Sequence, residues 1–344
     1  MTIKLSICIP TYNRAQFLTT TLESVISQAN DEVEIVISDN ASTDSTKSLI
    51  DKFRKRFSRI TYFRQSENIG FDRNILKAVE LAKGHYCWLL GSDDALAIGS
   101  IENVFSVLNN SDIYLTDLKK MTLNMDHILE SHHRILNSPA GTIFDCSING
   151  AAIKLAYSAK HTGAFFGYIS TILFRRSIWQ AQSVINDHIG SGWIHVSQCL
   201  QMVHAGARVQ YIDLPLVLNR TGNDSLLATT GYTRRRLVDL DLPRVARAVF
   251  ADQPVVLLAI TQLVAREYFN LKTLLSDKRA AFVADGPDGT RRLAAIYAQE
   301  FSALPRYRLK MLLWYTLPVA LLGTLRSILK RYKNTTSAVA RSLL

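Results

Sequence analysis

His85-Tyr86-Cys87-Trp88-Leu89-Leu90-Gly91-Ser92-Asp93-Asp94 decides the architecture of this chain, because an apolar run ends there in two adjacent carboxylates. A short, aromatic-rich apolar run reads as a buried strand. The acids therefore sit where that strand leaves its sheet, the end at which open α/β sheets bind ligands. Two carboxylates at one point repel each other unless a positive charge stands between them. A hard divalent cation carrying a diphosphate meets that need, since Mg²⁺ takes one or two carboxylates together with phosphate oxygens.

Upstream, the pattern repeats. Residues 3–9 are an apolar run ended by Pro10, as expected of a buried strand with a sharp exit. Residues 14–28 carry Phe17, Leu18, Leu22, Val25 and Ile26 at helical spacing. A second strand is predicted over 33–38. Ser42-Thr43-Asp44-Ser45 then offers N-cap chemistry for a helix running to about residue 57. A third strand follows over 60–64, and a helix over 72–82 carries Ile75, Leu76, Val79 and Leu81, with Gly84 as its stop. Strand and helix alternate four times before Asp94, which specifies an α/β fold: a mostly parallel, Rossmann-like sheet with helices on both faces. No GxGxxG follows the first strand and no GxxxxGK[ST] occurs, so dinucleotide and P-loop folds lack their key feature.

Downstream, residues 100–220 are mixed, with strands predicted at 113–116, 170–174 and 209–212. A helix over 196–204 ends at Gly206. From 233 to 332 the pattern is helical, with a loop around 285–289. The organisation expected is a domain over 1–220, with a donor half (1–105) and an acceptor half (106–220), followed by a helical C-terminal region over 221–344. Within the latter, residues 309–325 are apolar but interrupted by Pro318, and Arg326, Lys330, Arg331 and Lys333 follow. The apolar stretch falls short of the ~20 residues a membrane-spanning helix needs. It reads as an interfacial helix over 309–333 with a basic flank, or as a core helix of this region.

The bulk figures agree with a globular enzyme: 344 residues, 48% hydrophobic and 20% charged. Four scattered cysteines show no metal-type spacing, and Met1–Pro10 lacks a signal-peptide pattern, so a reducing, cytoplasmic setting is expected. The net charge of +11 is concentrated late, since beyond Arg291 the only acid is Glu300. These basic residues track an apolar helix rather than exposed aromatics, which favours an anionic membrane surface over nucleic acid.

Four constellations converge on the predicted strand ends. Pro10-Thr11-Tyr12-Asn13-Arg14 follows the first strand, where an aromatic beside a fixed-φ proline suits a stacked base. Asp39-Asn40-Ala41-Ser42-Thr43-Asp44 follows the second; Asp39 suits a base N–H or ribose hydroxyls, and Ser42 or Asp44 suits a helix cap. Asn68-Ile69-Gly70-Phe71-Asp72-Arg73-Asn74 precedes the third helix, with Arg73 able to fork onto a phosphate. Gly91-Ser92-Asp93-Asp94 is the fourth.

In this order, the four motifs resemble the nucleotide-binding half of family 2 glycosyltransferases, which have the GT-A fold. The resemblance is strong over residues 4–105 and weaker to about 215. It implies that Asp39 recognises the base or ribose of a nucleoside-diphosphate sugar. Pro10, Tyr12 and Arg14 line the pocket, with Asn68, Arg73 and Ser92 beside the nucleotide. Asp93 corresponds to the last acid of the DxD motif, so Asp93 with Asp94 holds Mn²⁺ or Mg²⁺ against the diphosphate. Many members carry Asp at the position of Gly91, a first departure. Members also open a helix with a Glu-Asp pair some eleven residues before a glycine; counting back from Gly206 gives His195. A histidine can act as the proton acceptor, with Asp187 as the alternative and Trp193 facing the acceptor sugar. The Gly190-Ser191-Gly192-Trp193-Ile194-His195 variant resembles the abequosyltransferase-type branch. That branch implies transfer of a dideoxyhexose from a CDP-sugar to a polyprenyl-diphosphate-linked saccharide in O-antigen synthesis, peripheral on the inner face of the cytoplasmic membrane. The competing readings are a sugar nucleotidyltransferase, which would want a Gly-rich basic loop where Pro10-Thr11-Tyr12 stands, and an inactive nucleotide-sugar-binding scaffold.

Overall fold

A computed structural model of the chain describes residues 2–108 and 111–322. They form two units, one of residues 1–224 with 245–263 and one of residues 225–244 with 264 onward. Residues 245–263, expected in the C-terminal region, thus belong to the first unit.

The first unit opens with β1 (Leu5–Thr11), α1 (Ala15–Ile26), β2 (Val33–Asp39), α2 (Thr46–Arg56), β3 (Ile60–Arg64), α3 (Phe71–Glu80) and β4 (Tyr86–Leu89). β3, β2, β1 and β4 lie side by side and all parallel, so their carboxyl ends share one edge. Ile7, Ile9, Ile35, Ile37 and Trp88 pack one face of the sheet against Leu18 and Leu22 of α1 and Ile50 and Phe53 of α2. On the other face α3 lies across β1 and β2 and buries Ile75, Ala78 and Val79.

After β5 (Ala95–Leu96) and α4 (Ser100–Val107), β6 (Ile113–Met121) is followed by β7 (Ile128–His133), β8 (Ile143–Asp145), α5 (Ala151–Ser158), β9 (Ile172–Arg175), α6 (Arg176–Gln180), α7 (Ile194–His204) and β10 (Arg208–Arg220). β9 inserts antiparallel between β4 and β6, and β6 and β10 are parallel; the full order is β3-β2-β1-β4-β9-β6-β10-β5. Two expected boundaries move. α3 ends at Glu80, and Gly84 is not its cap: a Cβ there would stand 2.7 Å from Ser6 Oγ and 2.8 Å from the Ser6 nitrogen, so glycine is needed for contact with β1. The last strand does not stop before Asp213-Leu214-Pro215. It bulges there, because Pro215 has no N–H for the ladder, and continues to Arg220.

The second unit contains α8 (Ser225–Leu240), the start of α9 (Leu242–Val249), the end of α10 (Pro254–Tyr268), α11 (Leu271–Phe301) and α12 (Tyr307–Thr316). The expected loop at 285–289 is a sharp kink at Gly286, φ 61°, within α11. Phe269, Tyr297, Phe301 and Trp314 form its aromatic core. Lys278 donates to the carbonyls of Trp314 and Leu317, satisfying the C-terminal end of α12. Met311 and Trp314 are buried, whereas Leu309, Leu312 and Tyr315 are more than half exposed. α12 therefore has a core face and an outward apolar face. No helix of the described residues is long and apolar enough to cross a membrane. The basic positions Arg326, Lys330, Arg331 and Lys333 of the predicted interfacial segment lie outside the described residues.

Candidate active site at the carboxyl edge of the sheet

The loops after β1 and β2 are clasped together. Asn13 adopts φ 51° and Ala41 φ 62°. The Asn13 N–H donates to Ser42 Oγ at 2.8 Å, and its Oδ1 accepts the Thr43 N–H at 2.7 Å. Two non-glycine residues in the left-handed region, in loops tied together by Asn13, mark a backbone conformation fixed by its surroundings. Tyr12 stands 44% exposed beside this clasp, and Arg14 lies over Phe17. Pro10 is the penultimate residue of β1 and buried.

Asp39 is fully buried at the end of β2. Its Oδ1 accepts the Ser42 N–H at 2.9 Å and its Oδ2 the Tyr62 hydroxyl at 2.7 Å; burial and this carboxylate push the Tyr62 phenol above its usual range. Its first work is thus to shape the loop floor. Asp44 does not cap α2 from the cap position, which is Ser45; it accepts the Thr46 N–H and hydroxyl and also the Ala15 N–H. Asn68 accepts the Gly70 N–H and the Asn40 side-chain amide, and Arg73 is exposed on the first turn of α3. Asn74, unassigned by the sequence reading, is buried and donates to the Ser38 carbonyl at 2.9 Å while accepting from Ser38 Oγ. It fastens α3 under the ends of β1 and β2.

At the end of β4 the two acids part company. Asp94 is buried: its Oδ2 accepts Ser170 Oγ at 2.5 Å and its Oδ1 the Asn219 amide and the Arg220 N–H, each at 3.0 Å. Burial, then the neighbouring Asp93, raise its carboxyl to about 7. With both oxygens committed to the protein, Asp94 pins β10 and the segment before β9 to the acidic loop. Of the two acids expected to hold a metal, Asp94 is the one that faces inward. Ser92 is also buried, and its carbonyl with that of Asp94 accepts Thr21 Oγ1 of α1. Asp93 is partly exposed. Among the described residues only its Oδ2 is engaged by a side chain, the Asn223 amide at 2.6 Å, and its carbonyl accepts Arg220 Nε. One accessible carboxylate at the strand end suits a hard cation that keeps phosphate and water ligands. Arg220, buried over the Phe17 ring at 4.6 Å, leaves Nη2 without a partner among the described residues beside these acids.

The acceptor-side residues are more enclosed than expected. His195 lies in the first turn of α7, 2% exposed, between Phe71 and Trp193, with ring centroids 6.2 Å from each. Burial lowers its pKa to about 4 against a weak opposing contact with the Gly167 backbone, so the ring is neutral at pH 7. Trp193 is 7% exposed and packs on Gly167, where a Cβ would stand 3.2 Å from the indole. It packs mostly inward in this structure. Asp187 is exposed in the short helical turn Asn186–His188.

Two groups were missed in the sequence. Asp72, quoted within Asn68–Asn74 but given no role, reaches across to the segment before α7. Asp117, His132 and Asp213 meet from β6, β7 and β10, with His132 Nε2 2.6 Å from Asp117 Oδ2 and 3.3 Å from Asp213 Oδ1. Their ligand atoms have metal-type proximity, but Tyr211 and the Ile135 N–H already serve Asp117, and Arg134 pairs with Asp213 at 3.0 Å. No local motif announces it, because the three residues lie on separate strands.

The model of the family described as glycosyl transferase family 2 matches residues 6–177. The abequosyltransferase RfbV of Salmonella typhimurium is 37% identical over 241 residues, 68% of this chain and 72% of that protein. A second relative, the GalNAc(5)-diNAcBac-PP-undecaprenol beta-1,3-glucosyltransferase of Campylobacter jejuni, is 33% identical over 31% of this chain and 35% of its own length. Among solved structures, S. aureus TarS 1–349 in complex with UDP superposes with TM-score 0.60 over 94% of this chain and 92% of that one, at 15% identity. The mannosyltransferase PcManGT of Pyrobaculum calidifontis, in complex with GDP-Man and Mn²⁺, reaches TM-score 0.55 over 95% and 88%, also at 15% identity. At that identity the two structures establish a shared fold.

Proposed function

The chain belongs to glycosyl transferase family 2 and is a glycosyltransferase, and from this premise we propose that it moves a sugar from a nucleoside-diphosphate sugar to a lipid-linked saccharide in O-antigen or cell-surface polysaccharide synthesis. The observation that carries the reading is Asp93, the accessible acid at the carboxyl end of β4, set among loops whose conformation is fixed by their surroundings. The abequosyltransferase relative supports a CDP-dideoxyhexose as donor, and the undecaprenol-linked relative supports a polyprenyl-diphosphate acceptor.

In this reading Tyr12 stacks on the base, with Pro10 and Arg14 beside it. Asp39 holds the loop that meets the base or ribose, and Asn68 and Ser92 shape the pocket through their backbone contacts. Arg73, exposed on α3, meets the diphosphate, and Arg220 supplies a fixed positive charge behind the acidic loop. Asp93 holds Mn²⁺ or Mg²⁺, which when bound neutralises the diphosphate as leaving group; a family-fold neighbour solved with Mn²⁺ supports such a cation. His195 is the proton acceptor for the attacking hydroxyl, with Asp187 as the alternative. Its neutral ring can accept a proton once the acceptor reaches it past Phe71. The outward face of α12, Leu309, Leu312 and Tyr315, lies on the membrane surface that carries the acceptor.

The test is a panel of CDP-, UDP-, GDP- and TDP-sugars with Mn²⁺ or Mg²⁺, read by donor hydrolysis, transfer and thermal protection. Protection with transfer supports the reading. Protection without transfer supports the inactive scaffold, and no response to any donor by folded protein overturns the donor assignment.

A further inference from the structure

Asp72 belongs to the helix that bears Arg73, yet its carboxylate is spent on another element. It is 2% exposed. Its Oδ2 accepts the N–H of Gly190 at 2.6 Å and of Gly192 at 3.0 Å, and its Oδ1 accepts the N–H of Ile194 at 3.3 Å. Gly190 and Gly192 adopt φ 87° and 81°, conformations that turn alternate N–H groups toward one point. Successive amides so arranged make an anion-binding nest, here continuous with the positive N-terminal end of α7. The nest is already filled, by a carboxylate delivered from α3. Ser191 closes it from behind, its Oγ donating to the His188 carbonyl and accepting the Trp193 N–H.

Asp72 therefore ties together two places that a transfer reaction must keep in register. On its own helix it is flanked by Phe71, whose ring meets His195 edge-on, and by Arg73. On the other side it sets the backbone from Gly190 to Ile194, the entry to the turn carrying His195. The carboxylate does not act as a base, since three backbone donors and burial commit it.

We propose that Asp72 is a positioning residue that locks the first turn of α7 to the first turn of α3, holding the acceptor-side residues at a fixed distance from the donor pocket. The proposal rests on the transferase reading for its kinetic consequence but not for its structural one. A misplacement of about 1 Å costs on the order of 100-fold in rate. Asp72→Asn keeps the size but sets an NH₂ against backbone donors and removes the charge.

The experiment compares wild type, Asp72→Asn, Asp72→Ala and Gly192→Ala in the full-length protein. For Asp72→Asn, faster amide exchange confined to residues 190–195 is expected, with kcat for transfer reduced ~10- to 100-fold and donor KM within about threefold. Gly192→Ala, which strains the same nest, should move both readouts in the same direction. Formate should restore part of the kcat of Asp72→Ala by refilling the nest. Unchanged exchange at 190–195 overturns the proposal, as does loss of donor affinity in step with kcat. If the wild type transfers no sugar, the function fails and exchange alone decides the lock.

Discussion

Gly91 lies where an added Cβ would stand 3.1 Å from Asp93 Oδ1, 3.2 Å from Asp94 Oδ2 and 3.3 Å from Ser170 Oγ. A side-chain carboxylate there would make a third acid in contact with two. Gly91→Asp should lower the melting temperature in EDTA, and Mn²⁺ should narrow the deficit by neutralising the cluster; a variant as stable as wild type in EDTA would show that the loop has room to spare. Asp93→Asn should keep the fold while reducing metal-promoted donor protection and transfer by ~100-fold, read by thermal shift and a transfer assay. His195 carries a pH signature. Its pKa falls from 6.5 to about 4 on burial, so between those values the unfolded chain binds more protons. Its stabilisation is complete above pH 6.5 and is lost as pH falls toward 4, on the order of 3 kcal/mol in all. Asp94, raised to about 7, contributes the opposite slope over this window, so His195→Phe should shift denaturant midpoints between pH 4.5 and 7.5 toward greater stability at low pH relative to wild type. At this scale the sequence made Asp93 legible through its strand-end position, but it could not separate Asp93 from Asp94. That division depends on Ser170, Asn219 and Arg220, which arrive from distant segments.

Among elements, β1 and β4 are held at their starts by a small buried network. Ser6 Oγ donates to Glu34 at 2.6 Å and accepts the Gly84 N–H at 2.8 Å, while the Lys83 N–H donates to Glu34 at 2.6 Å. Gly84 must lack a side chain for this approach, so Gly84→Ala should cost about 1–3 kcal/mol of unfolding free energy, measured in urea. A glycine after a helical pattern reads as a C-cap from local rules, and only the packing against β1 shows otherwise. The first four strands and three helices were legible because each has its own period and is bounded by Pro, Gly or a capping residue. β10 was legible only as far as Ile212, because Asp213 and Pro215 look like a strand end. The neighbouring β6 carries the ladder past the bulge, and that pairing is invisible locally.

For the whole molecule, the outward apolar face of α12 is the surface that the proposed reading sets against the membrane. Leu312→Glu combined with Tyr315→Glu should abolish sedimentation with vesicles of phosphatidylglycerol and phosphatidylcholine while leaving nucleotide-sugar protection intact. Retained sedimentation would place the membrane contact elsewhere. The late excess of basic residues is consistent with such a surface. By itself the sequence determined the α/β class, the parallel half of the sheet and the carboxyl edge at which the motifs gather, since these follow from local periodicity and short-range turn chemistry. Only the tertiary structure decided which acid faces outward, that Trp193 and His195 are enclosed, and that Asp72 fills the nest before α7. Each of those depends on which distant groups meet, and burial and hydrogen-bond satisfaction are properties of the packed chain that no local pattern records.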